Sequence, residues 1–175
     1  MTGARINFTL DDKAFQGAVT KLGGVLRTGV VAAIGVALVE EVNKRFESGR
    51  EPFGAAWQPL LPAYAAIKRG PGILRESRML QRSITFRVSG STVTVGSNRV
   101  YAAVHQFGAT ITAKNAPALA FQLGFRTGKR GGIQKAFVHV QKVTIPARPY
   151  LGFGPNDQRA VMEVLNGFVH RAFAA

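Results

Sequence analysis

The sequence predicts an α+β fold in a single domain covering 1–175. A long N-terminal helix and a C-terminal helix should pack on a mainly antiparallel sheet, with a basic β-hairpin protruding from it. Three observations predict this. Phe15, Val19, Leu22, Leu26, Val30 and Ile34 recur every three or four positions, the period of a helix face. The period changes to two over Ser83–Val88 and Thr92–Gly96, which flank Ser89-Gly90-Ser91 as a hairpin requires. Pro155 then opens a second helical stretch, with Val161, Leu165, Phe168 and Val169 on one side. No internal repeat or clean linker divides the chain.

Taken in order, Ile6, Phe8 and Leu10 alternate with polar residues and predict a short strand. Asp11 or Asp12 can cap the first helix. That helix should run to Ser48-Gly49, before Pro52, with Gly23-Gly24 as a place to kink. Its most apolar part, Val30–Val39, stops at Glu40-Glu41. A bilayer span needs roughly 20 apolar residues, so this run reads as a buried helix and no membrane partner is expected. Glu40-Glu41 should form a solvated helix end. The Gly- and Pro-rich segment 49–63 holds the only tryptophan, Trp57, which should pack back onto the core.

Tyr64–Lys68 predicts a helical turn before Gly70-Pro71-Gly72, and Leu74–Arg82 a short helix anchored by Leu74 and Leu80. Tyr101–Phe107 has helical spacing and stops at Gly108, which suits a left-handed C-cap. Ser97-Asn98 suits the N-cap of the same helix. Ala109–Ala113 reads as extended. Ala118–Leu123 and Ala136–Thr144 read as strands around Gly124–Lys135 (GFRTGKRGGIQK), a mobile basic tip. Phe125 and Phe137 beside it read as strand core. Ile145–Gly152 should be extended, because each proline turns its predecessor away from helix.

Composition narrows the function. The 175 residues carry 23 Lys+Arg against nine Asp+Glu, a net charge of +14, yet 46% are hydrophobic. A disordered polycation is too polar for that composition. The charge calls for a polyanion or an acidic protein surface. No acid lies between Glu76 and Asp157, where eleven basic residues fall. The chain has no cysteine, which removes disulfides, thiolate metal sites and thiol catalysis. No secretory h-region precedes the first helix, so synthesis in a reducing compartment is expected.

Catalytic constellations are missing as well. His105, His139 and His170 are scattered, without metal-ligand spacing. There is no GxSxG, no phosphate-binding glycine loop and no carboxylate pair in the strand-rich half. We therefore expect no enzyme activity, no catalytic or metal-binding residues, no cofactor and no small-molecule substrate. Nonspecific nucleic-acid binding needs only Lys and Arg and stays as the alternative. Against it, aromatics do not interleave with the basic run as a stacking platform would require.

Several segments, in order, resemble a known family. They are Trp57-Gln58-Pro59-Leu60, Tyr64 and Lys68, Ile73-Leu74, and Leu80-Gln81-Arg82-Ser83-Ile84. Val95-Gly96-Ser97-Asn98 follows, then Tyr101-Ala102-Ala103-Val104-His105-Gln106-Phe107-Gly108, then Ile145-Pro146-Ala147-Arg148-Pro149-Tyr150-Leu151-Gly152. This pattern resembles the phage virion-morphogenesis family, the tail-completion proteins of Mu-like and related tailed phages. The resemblance implies a structural virion protein of the tail end or neck, made in the host cytoplasm. It implies a homo-oligomeric ring, sixfold like the tail, that meets tail-tube and neck or connector proteins and enables head–tail joining. Trp57, Tyr101, His105, Gln106, Phe107, Gly108, Pro146 and Pro149 are then expected to maintain the fold. Arg126, Lys129, Arg130 and Lys135 are the expected contact group, facing either DNA in the lumen or a neighbouring protein. Arg148, fixed between two prolines, is expected as a further partner contact, meeting a carboxylate.

Overall fold

A computed structural model of the chain describes residues 4–9, 24–114, 116–127 and 132–173. The first strand, β1, is Arg5–Thr9. The predicted cap at Asp11-Asp12 and the helical positions Phe15, Val19 and Leu22 lie outside the described residues. Helix α1 covers Gly24–Ser48. Val30, Ile34, Leu38, Val42 and Phe46 recur every fourth residue along it, and all are buried. The helix ends where expected, with the Gly49 N–H donating to the Arg45 carbonyl at 2.8 Å.

Two one-turn helices follow, α2 at Pro62–Ala65 and α3 at Met79–Arg82. The predicted helix over Leu74–Arg82 is thus confined to its last four residues. Leu74 and Arg78 adopt φ of 59° and 56°, which breaks helical continuity on both sides of Glu76. The anchors still serve: Leu80 is buried and Leu74 packs against the core.

Strands β2 (Ile84–Ser89) and β3 (Thr92–Ser97) form the expected hairpin around Gly90-Ser91. With β1 they make an antiparallel sheet of order β1-β3-β2, in which both Ile6 and Phe86 pair with Val95. Val93 and Val95 of the central strand are buried beneath α1. Each large apolar side chain so covered contributes roughly 1.5–3 kcal/mol.

Helix α4 (Ala102–Phe107) leads into β4 (Ala109–Thr112). Strands β5 (Leu119–Thr127) and β6 (Gly132–Val140) pair with each other, and β7 (Lys142–Ile145) pairs with β4. Among the described residues the antiparallel strands therefore divide into three sheets rather than one. The expected single strand over Ala136–Thr144 breaks at Gln141. There the chain changes partner, with the Gln141 carbonyl accepting from Ala113 N at 3.1 Å and its side-chain amide donating to the Pro117 carbonyl at 2.6 Å. The expected mobile tip over Gly124–Lys135 is mostly paired strand, in register from Gly124↔Lys135 to Thr127↔Gly132. Helix α5 (Pro155–Phe173) closes the fold against α1.

Candidate functional site

Two regions hold the residues singled out by the sequence: a buried polar centre and an exposed ribbon. The centre joins the two motif blocks. Gln106, on α4, is buried. Its Oε1 accepts from Tyr150 N at 3.1 Å and Leu151 N at 3.0 Å, and its Nε2 donates to the Leu151 carbonyl at 2.9 Å. One amide thus satisfies three backbone groups of an extended segment that has no strand partner. The Tyr150 hydroxyl donates to the Ala102 carbonyl at 3.0 Å, and burial pushes its ionisation well up. Trp57 is buried edge-on to Phe46 as expected, with Nε1 donating to the Pro149 carbonyl at 2.8 Å.

Arg148 meets no carboxylate among the described residues. It is buried, its Nε donates to the Gln58 carbonyl at 2.9 Å and its Nη2 to the Pro59 carbonyl at 3.3 Å. The guanidinium ties the Trp57 loop to the proline segment, so Arg148 is not an exposed contact residue. Its backbone N–H donates to the His105 carbonyl at 2.8 Å. Burial first, and the Arg148 charge second, hold His105 below its ordinary pKa. Its Nδ1 is buried without a hydrogen-bond partner among the described residues, and its ring stands edge-on to Tyr101. Pro146 and Pro149 are half-buried.

Gly108 has the positive φ expected of it, 73°, but with ψ of 165° rather than a left-handed helical value. That region is open essentially to glycine alone. A Cβ there would stand 2.8 Å from Ala147 N. Ser97-Asn98 does not cap α4, whose cap position is Tyr101 with no side-chain cap bond. Ser97 Oγ instead accepts from Arg99 N at 3.1 Å and meets Ser83 Oγ at 2.7 Å. Phe107, expected in the fold-maintaining set, is 71% exposed.

One interior contact escaped sequence reasoning. Arg45 on α1 pairs with Asp157 on α5 and donates to the Tyr150 and Gly152 carbonyls at 3.0 and 3.1 Å. Asp157 Oδ2 also accepts from Gly154 N at 2.8 Å, half of a capping box. Burial pushes the Asp157 carboxyl up, against that hydrogen bond and the Arg45 charge. The signal was present: Arg45 lies three residues beyond Val42 on the apolar face, where a cation requires an acid. Glu41 is also buried, held by Lys44 Nζ at 2.7 Å, and is no solvated helix end.

The ribbon is the opposite case. Every residue of β6 from Gly132 to Phe137 is exposed, Lys135 included. Phe125, Ile133 and Phe137 are 44%, 50% and 67% exposed, so the two phenylalanines are not strand core. Arg126 sits in β5 opposite Ile133, and Lys129 and Arg130 lie outside the described residues. Among the described residues no group of three His, Asp or Glu converges, and no helix is long and apolar enough to cross a membrane.

A compact α+β body with a locked polar centre and a bare, basic, partly apolar ribbon is the build of an assembly component. Comparison with known proteins agrees: residues 9–170 match the phage virion morphogenesis family, and the chain belongs to it. Among its relatives, a putative capsid assembly protein G of Escherichia phage Mu is 24% identical over 174 residues, 95% of this chain and 96% of the relative. A Mu-like prophage FluMu G protein 2 of Haemophilus influenzae is 28% identical over 142 residues, 81% of this chain and 78% of the relative. No solved structure matches the chain.

Proposed function

We propose that this chain completes the phage tail. It forms a ring, sixfold like the tail, at the end of the tail tube, and offers the neck a surface on which filled heads are joined. It acts by structure, without catalysis or cofactor. The observation that carries this reading is the β5–β6 ribbon. A two-stranded ribbon is at best marginally stable alone, and this one keeps Phe125, Ile133 and Phe137 in solvent. Exposed apolar side chains on a basic arm are what an assembly contact needs. A place between head and tail also accommodates the capsid-assembly wording in the name of the Mu relative.

Phage lacking the gene should yield separate filled heads and tails by electron microscopy, with joining restored when the protein is supplied. Joined, infectious particles without it would refute the reading. A second reading, nonspecific nucleic-acid binding, is favoured by the acid-free span from Glu76 to Asp157. It requires that the isolated chain bind duplex DNA with an affinity that falls steeply with salt.

A further inference from the structure

We propose that the loop joining α2 to α3 is a clamp for the phosphate backbone of duplex DNA. The proposal rests on the second reading above, to which it gives a site, and does not depend on the ring.

From Lys68 to Arg82 the sequence places five cations, Lys68, Arg69, Arg75, Arg78 and Arg82, beside one acid, Glu76. The acid closes the loop. Its Oε2 accepts from the Tyr64 hydroxyl at 2.9 Å and its Oε1 from Arg69 N at 3.2 Å. The Tyr64 bond first, and the Arg69 bond second, hold the carboxyl below its ordinary pKa. Gly70 sits against the other limb of the loop. At its φ of 78°, an added Cβ would stand 2.6 Å from the Glu76 carbonyl oxygen. Lys68-Arg69 and Arg75-Glu76 are thus held side by side.

The cationic groups themselves are not spent on carboxylates. None of the five has an ion pair among the described residues. Lys68 Nζ donates to the Arg69 and Gly70 carbonyls at 3.1 and 3.2 Å, which holds it on the turn. Arg75 folds over the same turn, with Nη1 3.8 Å from where a Gly72 Cβ would stand. Its Nε is buried without a hydrogen-bond partner among the described residues. Arg69, Arg78 and Arg82 are exposed. Leu74 and Arg78 hold positive φ of 59° and 56°, a strain kept where Leu74 packs on the core and Arg78 stays outside. The loop therefore offers charge without an apolar anchor. Ile73 and Leu74 pack on the core, and no large apolar side chain from 68 to 78 is exposed. A protein interface centres on buried, well-packed anchors, whereas phosphates need only Lys and Arg. That selects the DNA backbone over an acidic protein surface.

Titration of the full chain with a short labelled duplex, followed by fluorescence anisotropy at several salt concentrations, tests this. Wild type should bind, with log K falling linearly in log salt. Arg69→Gln combined with Arg78→Gln should make that slope shallower by about two, one for each cation removed. Arg87→Gln combined with Arg159→Gln removes the same charge elsewhere and should leave the slope nearly unchanged. Glu76→Ala opens the loop and should weaken binding, although it raises the net charge. An unchanged slope in the loop variant, an equal loss in the control, or tighter binding by Glu76→Ala would overturn the clamp. Poly-glutamate bound as tightly as DNA, with the same dependence on the loop, would overturn it in favour of an acidic protein partner. If wild type binds no duplex even at low salt, the second reading fails with the clamp, and tail completion stands. Urea midpoints check folding. If Glu76→Ala is destabilised, the paired arginine variants decide, because Arg69, Arg78, Arg87 and Arg159 are all exposed.

Discussion

Arg45 and Asp157 form a buried ion pair between the two long helices, in a chain whose net charge is +14. One of only nine acids is thus spent inside, against a cation that also holds two backbone carbonyls. Removing one partner strands a charge in the interior. We expect Asp157→Asn or Arg45→Met to cost about 3–5 kcal/mol in urea unfolding, far more than a surface pair would. Replacing both by apolar residues of similar size should recover part of that loss.

Gln106→Leu keeps the volume but leaves Tyr150 N, Leu151 N and the Leu151 carbonyl unpaired. Each buried group so stranded costs about 1–3 kcal/mol. The variant should unfold at clearly lower urea, and Gln106→Glu should restore only the accepting half. A midpoint within error of wild type would mean that water replaces the amide.

His105 predicts a pH dependence. Its pKa is lowered in the folded chain from 6.5, by burial first and by Arg148 second. The unfolded chain therefore binds the proton more readily. The His105 contribution to stability should be whole above about pH 6.5 and be lost as pH falls towards the lower folded value. Urea midpoints measured from pH 8 to pH 5 should drop less for His105→Gln than for wild type. Parallel curves would exclude this linkage.

Gly108→Ala should cost about 1–3 kcal/mol from backbone strain alone, and more from the clash with Ala147 N. Gly90→Ala, at a turn with nothing within 4 Å of the added Cβ, meets a positive φ of 59° but no clash, and should cost less. Thermal unfolding of the two variants checks the order.

Much of the helical framework was legible in the sequence. The helical period through Val30 and Ile34, the Gly90 turn and Pro155 each act locally, and among the described residues the helix end at Ser48, the hairpin and the last helix lie where these patterns put them. What was illegible depends on distant partners. Alternation marks a strand but not its neighbour, so three sheets read as one, and the switch at Gln141 was invisible. Glycines in GFRTGKRGGIQK hid, behind a loop-like composition, how far the two expected strands run on, to Thr127 and from Gly132. Arg148 looked like an outward contact because its acceptors, the Gln58 and Pro59 carbonyls, lie some 90 residues away in sequence. Phe107 has core-like spacing but lies on the exposed side of its helix, where none of the described residues buries it.

Electron cryomicroscopy of particles carrying a tagged copy of this chain tests the central claim most directly. The account predicts tag density in a closed ring at the tail end facing the head, with each subunit's β5–β6 ribbon reaching its neighbour. Density on the capsid shell, along the tube, or nowhere in the finished particle would contradict it.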